Sequence, residues 1–149
     1  MEEWRFNLSK PIKVSKDGGF EEVHEVVFTA PNYKCRDNVV AVEQIISRAF
    51  ADMAFKRKEI IGEGDAPETR DNSEEVEAIP AKEMKAMLSM SDQNMEHFYK
   101  SVEVILLKTG TVLDGVSLKK EHFNSISLSD YSEMSFGYAG NFIAPSLIS

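Results

Sequence analysis

The sequence predicts an α+β fold in a single domain spanning 1–149: an N-terminal β-hairpin, then a mainly α-helical body of three to five helices. Three observations carry that expectation. Apolar residues alternate with period two from Trp4 to Val14; over most of the chain beyond Thr29 they recur at spacings of three and four. Turn and helix-start residues fall where one pattern gives way to the next.

The hairpin occupies 4–29. Trp4, Phe6, Leu8, Ile12 and Val14 share one parity, while Arg5, Asn7, Ser9 and Lys13 take the other, the pattern of a half-buried strand. Pro11 has no ladder donor, so this strand is an edge or is bulged there. Lys16-Asp17-Gly18-Gly19 supplies the positive φ angles of a tight turn. A second strand from Phe20 to Thr29 puts Val26 and Phe28 on one face and ends at Pro31-Asn32.

A helix follows over about 37–60, opened by Asp37 as N-cap. Its stripe is Val39, Val42, Ile46, Ala49, Phe50 and Met53, and Gly62 is its stop. Residues 62–78 carry Glu63, Asp65, Glu68, Asp71, Glu74, Glu75 and Glu77 against Arg70. So little apolar surface cannot offset the entropy of ordering, which predicts an acidic flexible linker. The C-terminal part, 80–143, is helical. Pro80 is a first helical residue with Glu83 behind it. Met84, Met87, Leu88, Met95, Phe98, Val102, Ile105 and Leu106 then run at helical spacing to Thr109-Gly110, as one helix or as two with a corner at Ser91-Asp92. Asp114-Gly115 turns into a helix from Leu118 to Asn124. Asp130-Tyr131-Ser132-Glu133 has the form of a capping box and opens a last helix, with stripe Tyr131, Met134, Tyr138 and Phe142, closed by Pro145.

A chain of 149 residues with 42% hydrophobic content buries roughly 70% of its unfolded surface and needs no metal or disulfide to fold. Cys35 is the single cysteine and has no intrachain partner, which fits a reducing compartment. Met1-Glu2-Glu3-Trp4-Arg5 is acidic where a signal peptide is basic, and apolar runs such as Val104 to Leu107 fall far short of the ~20 residues of a membrane span. The expectation is a soluble intracellular protein with no membrane partner. Its net charge of −8 repels phosphate backbones, and Lys56-Arg57-Lys58 and Lys119-Lys120 read as helix-end charges, so nucleic acid is not the expected partner.

Catalytic and cofactor motifs are sparse. His24, His97 and His122 are scattered, and Cys35 has no Cys or His at metal-ligand spacing, so no metal or other cofactor is expected. Lys34 and Arg36 flank Cys35, yet no motif places a His beside it as base. The acids of 62–78 lack the ligand alternation of a calcium loop. Gly62-Glu63-Gly64 has no third glycine and its acidic neighbours repel phosphate. Glu21-Glu22 and Glu74-Glu75 lie in polar surroundings that raise no pKa for acid catalysis. An enzyme is therefore not expected. Above this background stands a methionine cluster, Met84, Met87, Met90 and Met95. Thioether side chains repack readily and are over-used where varied apolar partners bind. Core packing is the plainer role for Met84 and Met87. As a surface, Met84, Met87, Leu88, Met95 and Phe98 form the candidate partner-binding groove.

Leu8-Ser9-Lys10-Pro11-Ile12, then Asp17-Gly18-Gly19, then Glu22 through Pro31, resembles the N-terminal hairpin of tail assembly chaperones from long-tailed phages. Asp37 matches the acidic residue that opens the family's next helix. Ile126 to Tyr131 and Asn141-Phe142-Ile143 are similar to its closing pattern. The resemblance covers the first and last thirds; the acidic segment and the Met-bearing helix enlarge the middle relative to compact members. It implies a protein that binds the phage tape-measure protein, with the tail tube protein as a further partner, in the host cytoplasm and not in the mature virion. A structural tail completion or connector subunit is the competing expectation, and the open edge strand allows a homo-oligomer.

Overall fold

The computed structural model describes residues 2–61, 79–88 and 92–148. The predicted acidic linker, 62–78, and Met90 lie outside the described residues. Strand β1 (Glu3–Lys16) and strand β2 (Gly19–Thr29) form the expected antiparallel hairpin. Asp17 and Gly18 both have positive φ, 51° and 80°, the turn whose twist matches a right-twisted ribbon.

Pro11 marks both of the features it allowed. β1 is the sheet's edge, and the ladder breaks between Asn7↔Glu25 and Ile12↔Val23, so Leu8–Pro11 face His24 alone. The bulge leaves Phe6, Leu8, Ile12 and Val14 on one face of β1 but changes parity on β2, where Val23, Val26 and Phe28 are buried.

The helical body follows: α1 (Arg36–Ile61), α2 (Ala81–Leu88), α3 (Asp92–Thr109), the single turn α4 (Lys120–Phe123), and α5 (Leu128–Tyr138), which runs through a π turn at Ala139–Ile143 into α6 (Ala144–Ile148). Counting that last rod once, the described body has five helices. The sheet has four antiparallel strands in the order β1-β2-β3-β4, because Asp114-Gly115 closes a second hairpin, β3 (Gly110–Leu113) with β4 (Val116–Ser117). Buried side chains of the inner sheet face pack with Val42, Ile45, Ile46 and Ala49 of α1, Phe98, Val102, Ile105 and Leu106 of α3, and Met134, Phe136 and Tyr138 of α5.

Several predicted boundaries shift for local reasons. A 3-10 turn at Tyr33–Cys35 precedes α1, and Asn32, not Asp37, is the cap: its side chain accepts from the Lys34 amide at 2.9 Å. Pro80 sits one residue before α2 and lends its carbonyl to Glu83 and Met84. The helix expected from Leu118 begins at Lys120, because the Leu118 amide donates to Gly110 in the second hairpin. α5 starts at Leu128, capped by Ser127, whose Oγ accepts from the Asp130 amide at 3.1 Å. The Asp130 carboxylate points away from its own helix to the β1 bulge, taking the Ser9 amide and hydroxyl at 3.0 Å each. That bond gives a buried carboxylate partners and covers the middle of the β1 edge. Pro145 does not stop the chain's last helix. The π turn just before it, with the Ala144 amide on the Ala139 carbonyl, widens the coil where the proline ring would strike the preceding turn.

Candidate functional site

The chemistry-bearing side chains stay apart. His24 is exposed on the sheet and His97 on α3. Cys35 is fully buried, its Sγ 3.8 Å from Asn32 Oδ1. His122 is buried and structural: its Nδ1 accepts the Lys119 amide at 2.9 Å, closing the start of α4. No group of three His, Cys, Asp or Glu is placed to hold a metal ion among the described residues.

Burial, opposed by the charge of Glu121 and reinforced by that of Lys119, holds His122 below its ordinary pKa of 6.5. Its folded value lies below its unfolded one, so its contribution to stability is complete above pH 6.5 and falls away as pH drops toward the folded value. Urea midpoints of the wild type and of His122→Gln, whose side chain does not titrate, are expected to draw together as pH falls from 7.5 to 5. A constant gap contradicts the assignment.

The five candidate partner residues divide. Met84, Leu88 and Phe98 have essentially no exposed surface. As surface residues they are corrected to core: α2 turns Met84 and Leu88 toward the interior, and the Phe98 ring stacks on Phe136 at 4.8 Å. Met87 and Met95 are half-buried, Met95 packed against the core. Helical spacing tells which residues share a stripe, and here most of the stripe faces inward.

The outer face of the sheet is open. A cleft of about 620 Å³ lies there, lined by Arg5 and Asn7 of β1, Val27 of β2, Leu113 and Asp114 of the second hairpin, and the acids Glu3, Glu22 and Glu25. Val27 and Leu113 are its half-exposed apolar residues, and Thr111, opposite Val27 in the register, is exposed between the strands. Arg5 lies between two carboxylates, 3.4 Å from Glu3 and 2.8 Å from Glu25.

The expected groove did not include this face, yet the sequence carries a trace of it. Val26-Val27-Phe28 interrupts strict alternation, and an apolar residue on the solvent parity of a two-layer sheet is the signal for a covered or contacted outer side.

No helix of the described residues is long and apolar enough to cross a membrane. The chain matches no protein-family model, no curated protein and no solved structure.

Proposed function

We propose that this chain works by contact and not by catalysis, as a tail assembly chaperone of a long-tailed phage. It holds the tape-measure protein in the cytoplasm of the infected host until tail tube subunits assemble on it. The observation that carries the reading is the one-sided cover of the sheet: helices bury the inner face, while the outer face keeps a cleft lined in part by the half-exposed Val27 and Leu113. The resemblance of Leu8–Pro31 to the family's hairpin supports the same assignment. Net charge of −8 keeps a client complex soluble.

Co-expression with the phage's long helical tail protein is the test. The expected result is a rise in that protein's soluble fraction and a complex that co-purifies with this chain. Absence of association from low to high salt contradicts the proposal. Mass spectrometry of purified particles separates it from a tail completion or connector subunit, which would be present stoichiometrically in the virion.

A further inference from the structure

β2 lays one line of side chains along the outer face: Phe20, Glu22 and His24 between turn and bulge, then Glu25, Val27 and Thr29. The parity change opposite the bulge lets His24 and Glu25, neighbours in sequence, both line the cleft. Phe20, at the projecting tip of the hairpin, is 77% exposed. Apolar contact on this face is thus in two separate patches, Phe20 near the turn and Val27 with Leu113 at the other end, with Glu22, His24 and Glu25 between them.

That charge has a definite sign. The cleft is lined by four carboxylates, Glu3, Glu22, Glu25 and Asp114, and one guanidinium, Arg5. Arg5 is held by Glu3 and Glu25, so a cation already sits on this face as a partner's would. Glu22 and Asp114 form no side-chain ion pair among the described residues, although Lys13 stands across from Glu22 in the register and the Lys16 ammonium donates to the Asp114 backbone carbonyl at 3.2 Å.

We propose that the outer face of the sheet docks a basic amphipathic helix of another protein, with its apolar side on Val27 and Leu113 and its Lys and Arg side chains against Glu22, Glu25 and Asp114. The proposal rests on the binding function above and adds the chemistry of the bound segment. Helices already cover the inner face of this sheet, and its outer face offers the same twisted surface to a helix of another protein. The patch of Val27 and Leu113, edged by carboxylates, complements a helix whose apolar stripe is edged by cations. A second copy of the chain is a poor occupant, because both surfaces belong to a molecule of net charge −8.

The test uses the full chain and a fluorescein-labelled synthetic peptide of Leu and Lys spaced as an amphipathic helix, with a matched peptide carrying Glu for Lys. Anisotropy is expected to show binding of the Lys peptide, weakening with salt, and none of the Glu peptide. The double variant Glu22→Lys/Asp114→Lys is expected to lose affinity about tenfold. Asp52→Lys/Glu133→Lys changes net charge equally on exposed helix positions and is expected to stay within about twofold. Equal losses in the two doubles, equal binding of the two peptides, no binding of the Lys peptide, or a dimer of this chain broken by Glu22→Lys/Asp114→Lys each overturn the proposal. The same doubles assayed with the co-expressed client separate this failure from that of the function. A client complex indifferent to Glu22→Lys/Asp114→Lys overturns the face and leaves the chaperone reading standing; no complex with the wild type removes the reading itself.

Discussion

Gly140→Ala is expected to destabilise the fold by about 3 kcal/mol, combining overpacking with the loss of a backbone hydrogen bond. Gly140 lies in the π turn between α5 and α6, buried against the segment that leads into α2. The Ile79 amide donates to the Gly140 carbonyl at 3.0 Å. A Cβ at Gly140 would strike the Ile79 carbonyl oxygen, with the Ile79 carbonyl carbon at 3.0 Å and Met84 Cγ at 3.3 Å. Backbone cannot rotate aside as a side chain can, so the start of α2 must move off the rod. Met84 and Leu88 would be lifted with it. For a chain of this length, such a loss lowers Tm by roughly 6–12 °C. Thermal unfolding followed by circular dichroism measures it, and an unchanged Tm would show that α2 is not seated as described.

Phe28→Ala is expected to cost about 3–5 kcal/mol, the range for deleting a buried aromatic ring. Phe28 has no exposed surface, pairs with Trp4 across the hairpin and stacks on its ring at 5.6 Å. It also meets Tyr138 edge-on at 5.8 Å. The Tyr138 hydroxyl donates to the Thr29 carbonyl at 2.9 Å, so the same ring cluster fastens α5 to the end of β2. Removing Phe28 leaves a cavity between sheet and helices that this anchored tyrosine cannot readily fill. Phe28→Leu keeps most of the volume and is expected to cost less than half as much, about 1.5 kcal/mol. Trp4 fluorescence reports the change directly: the Ala variant's emission shifts to the red in the folded state. Equal stability of the two variants would contradict the packing assigned to this ring.

The hairpin was legible because its two signals are local. Alternation from Trp4 to Val14 needs no tertiary partner, and Asp17-Gly18 dictates its own turn. The second hairpin was not legible, since strands of four and two residues are too short to show a period and Gly110 continues directly from α3. The start of α5 illustrates a choice that local chemistry leaves open. Ser127-x-x-Asp130 and Asp130-x-x-Glu133 are both capping sequences, and the contact with Ser9, distant in the chain, turns the Asp130 carboxylate away from the helix. Pro145 reads as a stop until the π turn before it makes room.

The candidate site was harder still. Spacing placed Met84, Leu88 and Phe98 on stripes correctly but gave no direction, and the core claimed them. Glu22, Val27 and Asp114 come together through the pairing of β2 with a strand that the sequence did not announce. Their common surface exists only in the folded sheet.

A methyl NMR titration of the full chain with its helical client examines that surface at single-residue level. Shifts at Val27 and Leu113, with Val42 and Ile46 of the interior unmoved, are the predicted outcome. Perturbation centred on Met87 and Met95, with the Val27 and Leu113 methyls silent, would place the client elsewhere and contradict the account.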